Sequence, residues 1–269
     1  MNLDAYLARI GYEGSLEPTP ETLRALHRAH LLAVPYENLD IHLGRPLTLS
    51  LPAIFDKLVS QKRGGWCFEM NGLLAWALRE LGFSVTLLGA TVTRVNAEPI
   101  PNDHLALLVE LDGPYLADVG LGDGPLEPAP LAVGRYRQDF LNYELTRSGK
   151  TWSFHNHPHG AARGYSFSSE PRRLSDFAEM CGVLQTSPTS GFVRVTVCDR
   201  FDAKGHSSLR GAVLRVLTAS GVEERVLESA EDFDQTLKER FGLVLPEAPV
   251  LWPRIWASHQ AWAAGQVSS

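Results

Sequence analysis

The chain has 269 residues, 44% of them hydrophobic and 21% charged, with a formal net charge of −6. That is enough apolar chain for a sizeable core and for more than one subdomain, and no apolar run reaches the ~20 residues of a membrane-spanning helix. The acidic balance argues against general nucleic-acid binding, so an anionic ligand would need a local cluster of donors.

The N-terminal stretch MNLDAYLARIGYEG lacks a basic region followed by an apolar run, which argues against a secretory signal. The three cysteines, Cys67, Cys181 and Cys198, form an odd set without close spacing. This speaks against a disulfide scaffold or zinc knuckle and for a reducing cytoplasm.

In chain order, Leu3, Tyr6, Leu7 and Ile10 mark a short helix closed by Gly11. A second helix starts with Thr19 as N-cap and Pro20 at its first position, and Pro35 stops it. His27 and His30 share a face of it and read as an ordinary packed or solvated pair. Leu51 to Val59 is a third helix. Residues 63–82, RGGWCFEMNGLLAWALRELG, run a glycine-rich loop into a fourth. Met70, Leu73, Leu74, Ala77, Leu78 and Leu81 give it one apolar face, and Gly82 reads as its C-terminal cap.

From residue 85 the period becomes two. Strands are expected at Phe83–Thr93, with a glycine bulge, and at His104–Leu111 and Tyr115–Val119 around an Asp112-Gly113-Pro114 turn. Others are expected at Phe140–Thr146, Thr151–Phe154, Tyr165–Phe167 and Phe192–Asp199, with a helical stretch at Ser175–Leu184. Ala212–Thr218 and Val222–Leu227 read as strands, and Glu231–Phe241 as a helix closed by Gly242. Helices, then an antiparallel sheet, then a mixed segment make an α+β protein.

Cys67 sits in the first turn of its helix, where unpaired N–H groups and the positive dipole end favour an anion. A thiolate nucleophile needs a base, and the base needs a third group to orient it. His104 opens one strand and Asp118 lies on the next. If Leu111 pairs with Tyr115, Asp118 falls opposite Leu108 on the face of His104; if it pairs with Pro114, Asp118 moves to the other face. The glycines of Val119-Gly120-Leu121-Gly122-Asp123-Gly124 permit close backbone approach. His155, His157 and His159 read as a turn, with no metal site expected.

Arg63-Gly64-Gly65-Trp66-Cys67-Phe68-Glu69-Met70-Asn71 closely resembles the RGGxCxExN signature of the arylamine N-acetyltransferases. Asn102 to Val109 resembles their histidine strand, and Tyr115 to Gly122 their YLxDVGFG segment. Val34-Pro35-Tyr36-Glu37-Asn38-Leu39 is similar to their VPFENL; Glu224-Arg225 and Leu237–Gly242 resemble their third domain. Leu121 replaces the family's usual aromatic, Gln185–Phe192 varies its STxPxSxF stretch, and Cys181 stands where asparagine is common.

The resemblance implies a Cys67-His104-Asp118 triad in a cysteine-protease-like core. It implies an N-terminal helical bundle (1–85) carrying the nucleophile, a central antiparallel β-barrel (86–195) carrying histidine and aspartate, and a C-terminal αβ lid (196–269). It further implies ping-pong transfer of acetyl from acetyl-CoA, a co-substrate and not a bound cofactor, to arylamines, arylhydrazines or arylhydroxylamines. Tyr36, Leu121 and Phe192 are carried over as substrate-binding residues. No nucleic-acid or membrane partner is expected, and the chain is expected to be a monomer or weak homo-oligomer. Arg63 and Glu37 read as a buried ion pair fixing the active-site loop. A thiol hydrolase, an amide synthase taking its acyl chain from a partner protein, and a non-catalytic binding module are the competing readings.

Overall fold

The computed structural model describes residues 1–94 and 98–267. The first helices start and stop at the capping residues. Helix α1 (Leu3–Ile10) ends on Gly11 in the left-handed region, φ 66°. Helix α2 (Pro20–Ala33) opens on Thr19, whose side chain accepts the Thr22 N–H. A two-residue strand, β1 (Tyr36–Glu37), and a short helix, α3 (Leu39–His42), follow. Helix α4 (Leu51–Phe55) runs on into a π turn at Asp56–Ser60, and α5 (Cys67–Glu80) begins at the cysteine itself.

Eight strands form one antiparallel sheet that curls into a nearly closed barrel. They are β2 (Ser84–Thr93), β3 (His104–Glu110), β4 (Pro114–Ala117), β5 (Ala129–Pro130), β6 (Gly134–Gln138), β7 (Leu141–Ser148), β8 (Thr151–His155) and β9 (Gly164–Arg172). Their order is β5-β4-β3-β2-β9-β8-β7-β6. The expected bulge lies at Gly89, where the register of β2 on β9 shifts. A Cβ at Gly89 would fall 2.1 Å from Asn102 Oδ1, so a larger residue there would displace the Asn102 side chain.

Helix α5 departs from the expected single apolar face. Every residue from Cys67 to Leu78 is buried, because α1, α2 and α4 cover one side of it and β2 and β3 the other.

After the barrel come a 3₁₀ turn at Leu174–Phe177, then α6 (Ala178–Thr186) and α7 (Gly191–Arg194). A strand was expected from Phe192. Instead the Ser190 hydroxyl accepts the Phe192 N–H at 3.2 Å and caps a helical turn. The strand β10 (Val197–Phe201) starts only afterwards, followed by β11 (Gly205–Arg210), β12 (Val213–Thr218) and β13 (Gly221–Val226). β1 joins their edge, giving a second sheet in the order β1-β10-β11-β12-β13. One face of it, through Cys198, Leu209 and Leu214, packs on Phe233 and Leu237 of α8 (Ala230–Phe241). A last helix, α9 (Trp252–Val267), was not anticipated. Among the described residues, no helix is long and apolar enough to cross a membrane.

Candidate active site

The loop before Cys67 is held by buried charge. Arg63 donates to Glu37 Oε1 at 2.7 and 3.1 Å and lies 3.0 Å from Asp40 Oδ1. Lys57 reaches Asp40 Oδ2 at 3.1 Å and both oxygens of Glu69 at 2.9 and 3.0 Å. Glu69 in turn accepts the Trp66 N–H at 3.2 Å, which pins the residue before Cys67. Burial opposes the Asp40 carboxylate, but Lys57 and Arg63 outweigh it and hold its pKa below the ordinary range. The two glycines are sterically required. A Cβ on Gly64 would lie 2.1 Å from Pro35 O, and one on Gly65 2.9 Å from Glu69 Cβ.

The β3–β4 register decides where the histidine and aspartate meet. Val109 pairs with Tyr115 and Leu107 with Ala117, which projects Asp118 opposite Ala106. Neither register weighed from the sequence is the observed one. It is slipped by two residues from the first, so it keeps Asp118 on the face of His104 and carries it two positions nearer. His104 Nε2 lies 2.7 Å from Asp118 Oδ2, which leaves Nδ1 as the free ring nitrogen. The His104 ring packs on Tyr165 (centroids 4.9 Å apart) and interacts with the Cys67 thiol. The sulfur itself lies 4.0 Å from the Asp103 carbonyl. Burial pulls the His104 pKa down, but Asp118 and Cys67 outweigh it and push it up to about 10.

Asp118 is held from three sides. Asn71 Nδ2 donates to its Oδ1 at 2.7 Å, and so does the Gly120 N–H at 2.8 Å. Its own backbone N–H donates to His27 Nε2 at 3.1 Å, and His27 Nδ1 lies 2.9 Å from Leu126 O. Burial brings His27 down to about 4, which keeps it neutral and able to accept. Burial would raise the Asp118 pKa, yet His104, Asn71 and Gly120 leave it lowered.

Read from the sequence as an ordinary helix-face histidine, His27 is a support of Asp118; an i, i+3 pair carries no sign of a contact 91 residues away. Its neighbour His30 is buried and bonds the Tyr6 hydroxyl at 2.9 Å. Asn71, present in the motif but given no role, bridges both segments.

The glycine loop is packed, not loose. A Cβ on Gly120 would lie 2.7 Å from Cys67 Cα and 2.6 Å from Asn71 Nδ2. Leu121 follows that contact directly. Phe192 packs edge-on against Trp66 (centroids 5.2 Å apart), and Tyr36 forms a bridge to Gly65. Phe192 and Tyr36, expected to bind substrate, thus touch the residues flanking Cys67, and Leu121 adjoins the glycine packed on it. His157 Nε2 lies 3.0 Å from Asp123 O and ties down a barrel loop, whereas His155, expected in a turn, ends β8 and places its Nε2 2.9 Å from the Thr146 hydroxyl on β7.

An N-acetyltransferase family model matches residues 19–250. The chain belongs to the arylamine N-acetyltransferase family. It is 36% identical to the Gallus gallus pineal gland isozyme NAT-3, across 91% of this chain and 95% of that one. It is 37% identical to the Mycolicibacterium smegmatis arylamine N-acetyltransferase, across 91% and 93%. The Mycobacterium marinum arylamine N-acetyltransferase in complex with CoA superimposes with a TM-score of 0.85 at 34% identity, covering 92% of this chain and 94% of that one.

This acetyltransferase has a cavity of about 510 Å³ on the face of the second sheet opposite α8. Arg194, Arg210, Arg215 and Arg254 line it, with Asp123 and Trp262. Arg215 is paired with Glu224 at 3.3 Å, whereas Arg194 has no charged partner among the described residues.

Proposed function

We propose that this enzyme transfers the acetyl group of acetyl-CoA to the nitrogen of arylamines, arylhydrazines or arylhydroxylamines, through an acetyl-Cys67 intermediate. The observation that carries this reading is the placing of Cys67, His104 and Asp118 by separate elements, with the 2.7 Å bond orienting the imidazole. His104 Nδ1 takes the thiol proton, and the Cys67 thiolate attacks the thioester carbonyl. The N–H groups opening α5 have no partners four residues back and stabilise the oxyanion, where one such donor contributes about 3 kcal/mol. The C–S bond to CoA breaks and the imidazolium protonates the departing thiolate. The now neutral His104 accepts a proton from the amine as nitrogen attacks acetyl-Cys67, and the Cys67 thiolate leaves. Asp118 holds the ring and stabilises its charged form. Arylamines suit this step because their weak basicity leaves the lone pair free near pH 7.

In this reading residues 1–85 carry the nucleophile, 86–195 the base and its carboxylate, and 196–269 a lid. Tyr36, Leu121 and Phe192 contact the acceptor. The arginine-lined cavity suits the phosphates of the donor. Incubation with acetyl-CoA followed by intact-mass measurement tests the proposal. One acetyl group is expected on Cys67, absent from the Cys67→Ala and Cys67→Ser variants and discharged by an aniline or hydrazine. A label that no amine removes, or peptide cleavage in its place, refutes it.

A further inference from the structure

Directly paired residues on adjacent antiparallel strands share a sheet face, about 4.8 Å apart. In the second sheet Tyr36 pairs with Asp199, Asp199 with Ser208, Ser208 with Arg215, and Arg215 with Glu224. The last three line the 510 Å³ cavity. At the other end Tyr36 bridges to Gly65, two residues before Cys67. One polar row thus leads from the nucleophile's loop into the cavity, and Asp199 stands between them.

Asp199 has no part in the transfer chemistry and forms no ion pair with a lysine or arginine among the described residues, Arg210 acting on it only at a distance. Its side chain is 8% exposed, and its Oδ1 lies 3.5 Å from His206 Nε2. That nitrogen has no hydrogen-bond partner among the described residues. Burial keeps His206 neutral, at about 3. Burial also pushes the Asp199 carboxyl up to about 7, with the charge of Asp123 adding to it, against the pull of Ser208 and Arg210. A carboxyl buried with only a serine hydroxyl and a neutral imidazole as neighbours is costly to the fold, and such groups concentrate where a ligand is handled. The loop that touches Cys67 at Gly120 meets Asp199 two residues later: a Cβ on Gly122 would lie 3.0 Å from Asp199 Oδ2. The Tyr36 phenol feels the charges of both Cys67 and Asp199. No bond to its hydroxyl is present among the described residues.

We propose that Asp199, with the Tyr36 hydroxyl beside it, sets acceptor specificity by taking a hydrogen bond from a donor group on the aromatic acceptor. The preferred substrates are then aromatic amines with a ring hydroxyl or second N–H over isosteres that lack one. This rests on the acetyl-transfer reading above. A site built to bond such a group penalises the analogue without it, because the buried acceptor is left unpaired.

The test compares aminophenol with its methyl ether, in para and meta pairs, as acceptors for acetyl-CoA. The members of each pair have similar amine basicity, and the ether carries a methyl group in place of the hydroxyl hydrogen. In the wild type kcat/KM should favour the hydroxyl member of at least one pair by about tenfold or more. In Asp199→Leu that ratio should fall to within about threefold of unity, with Asp199→Asn in between. Both acceptors draw on the same folded, acetylated molecules, so any misfolded fraction cancels in the ratio. A ratio unchanged in Asp199→Leu, equal losses on both acceptors, or no preference in either wild-type pair overturns the inference. Absence of acetyl-Cys67 in the wild type overturns it together with the acetyl-transfer reading.

Discussion

Asn71, one turn beyond Cys67 on the same helix, donates to Asp118 Oδ1 at 2.7 Å and accepts the Val119 N–H at 3.0 Å. The helix that carries the thiol therefore also fixes the carboxylate that bonds His104. Replacing Asn71 with Ala leaves the Val119 N–H and one carboxylate oxygen short of a partner. A stability loss of about 1–3 kcal/mol is expected. Turnover should fall more than KM changes, since the imidazole loses its orientation and the substrate loses no contact. Urea unfolding alongside steady-state kinetics reads both; a KM effect alone contradicts this role.

Gly120 has no room for a methyl group beside Cys67 Cα and Asn71. Gly120→Ala should push the loop away from α5, at a cost of about 1–3 kcal/mol. Acetyl-cysteine formation, followed by mass after rapid mixing, should slow with it. An unimpaired rate would show that the contact gives way elsewhere.

Arg63 is expected to act on stability. Its removal leaves Glu37 and Asp40 as buried carboxylates short of a cation, and breaking such a pair costs about 3–5 kcal/mol. Arg63→Ala should lower the melting temperature while the fraction still folded at low temperature turns over. An intact melting temperature with lost turnover would assign it to chemistry instead.

The pH dependence follows from His104. Its folded pKa of about 10 lies above the ordinary 6.5, so the charged ring stabilises the folded state fully below about 6.5. That contribution fades as the pH climbs through 10. The difference in melting temperature between wild type and His104→Gln should narrow steadily across this range. A difference that widens on the alkaline side would show that the imidazole is neutral in the free enzyme.

How much was readable in advance differs from element to element. The caps at Gly11, Thr19 and Gly242 act over one turn of chain, and their helices lie where the local pattern places them. Cys67 at a helix start was equally legible, because loop, helix and cap are contiguous. By contrast, Tyr36–Glu37 is a strand only because β10, some 160 residues later, lies beside it. Phe192 has a strand-forming composition but sits in a capped helical turn, since the Ser190 hydroxyl competes for the backbone.

The sequence by itself determined the three residues proposed for catalysis, their order and the family the chain belongs to, since these reside in short contiguous motifs. Only the tertiary structure decided that Asp118 reaches His104, because strand register depends on packing and a slip of one residue would turn the carboxylate away. It alone made supports of His27 and Asn71 and stranded Asp199 beside Tyr36. Such contacts join segments far apart in the chain, and no local pattern encodes them.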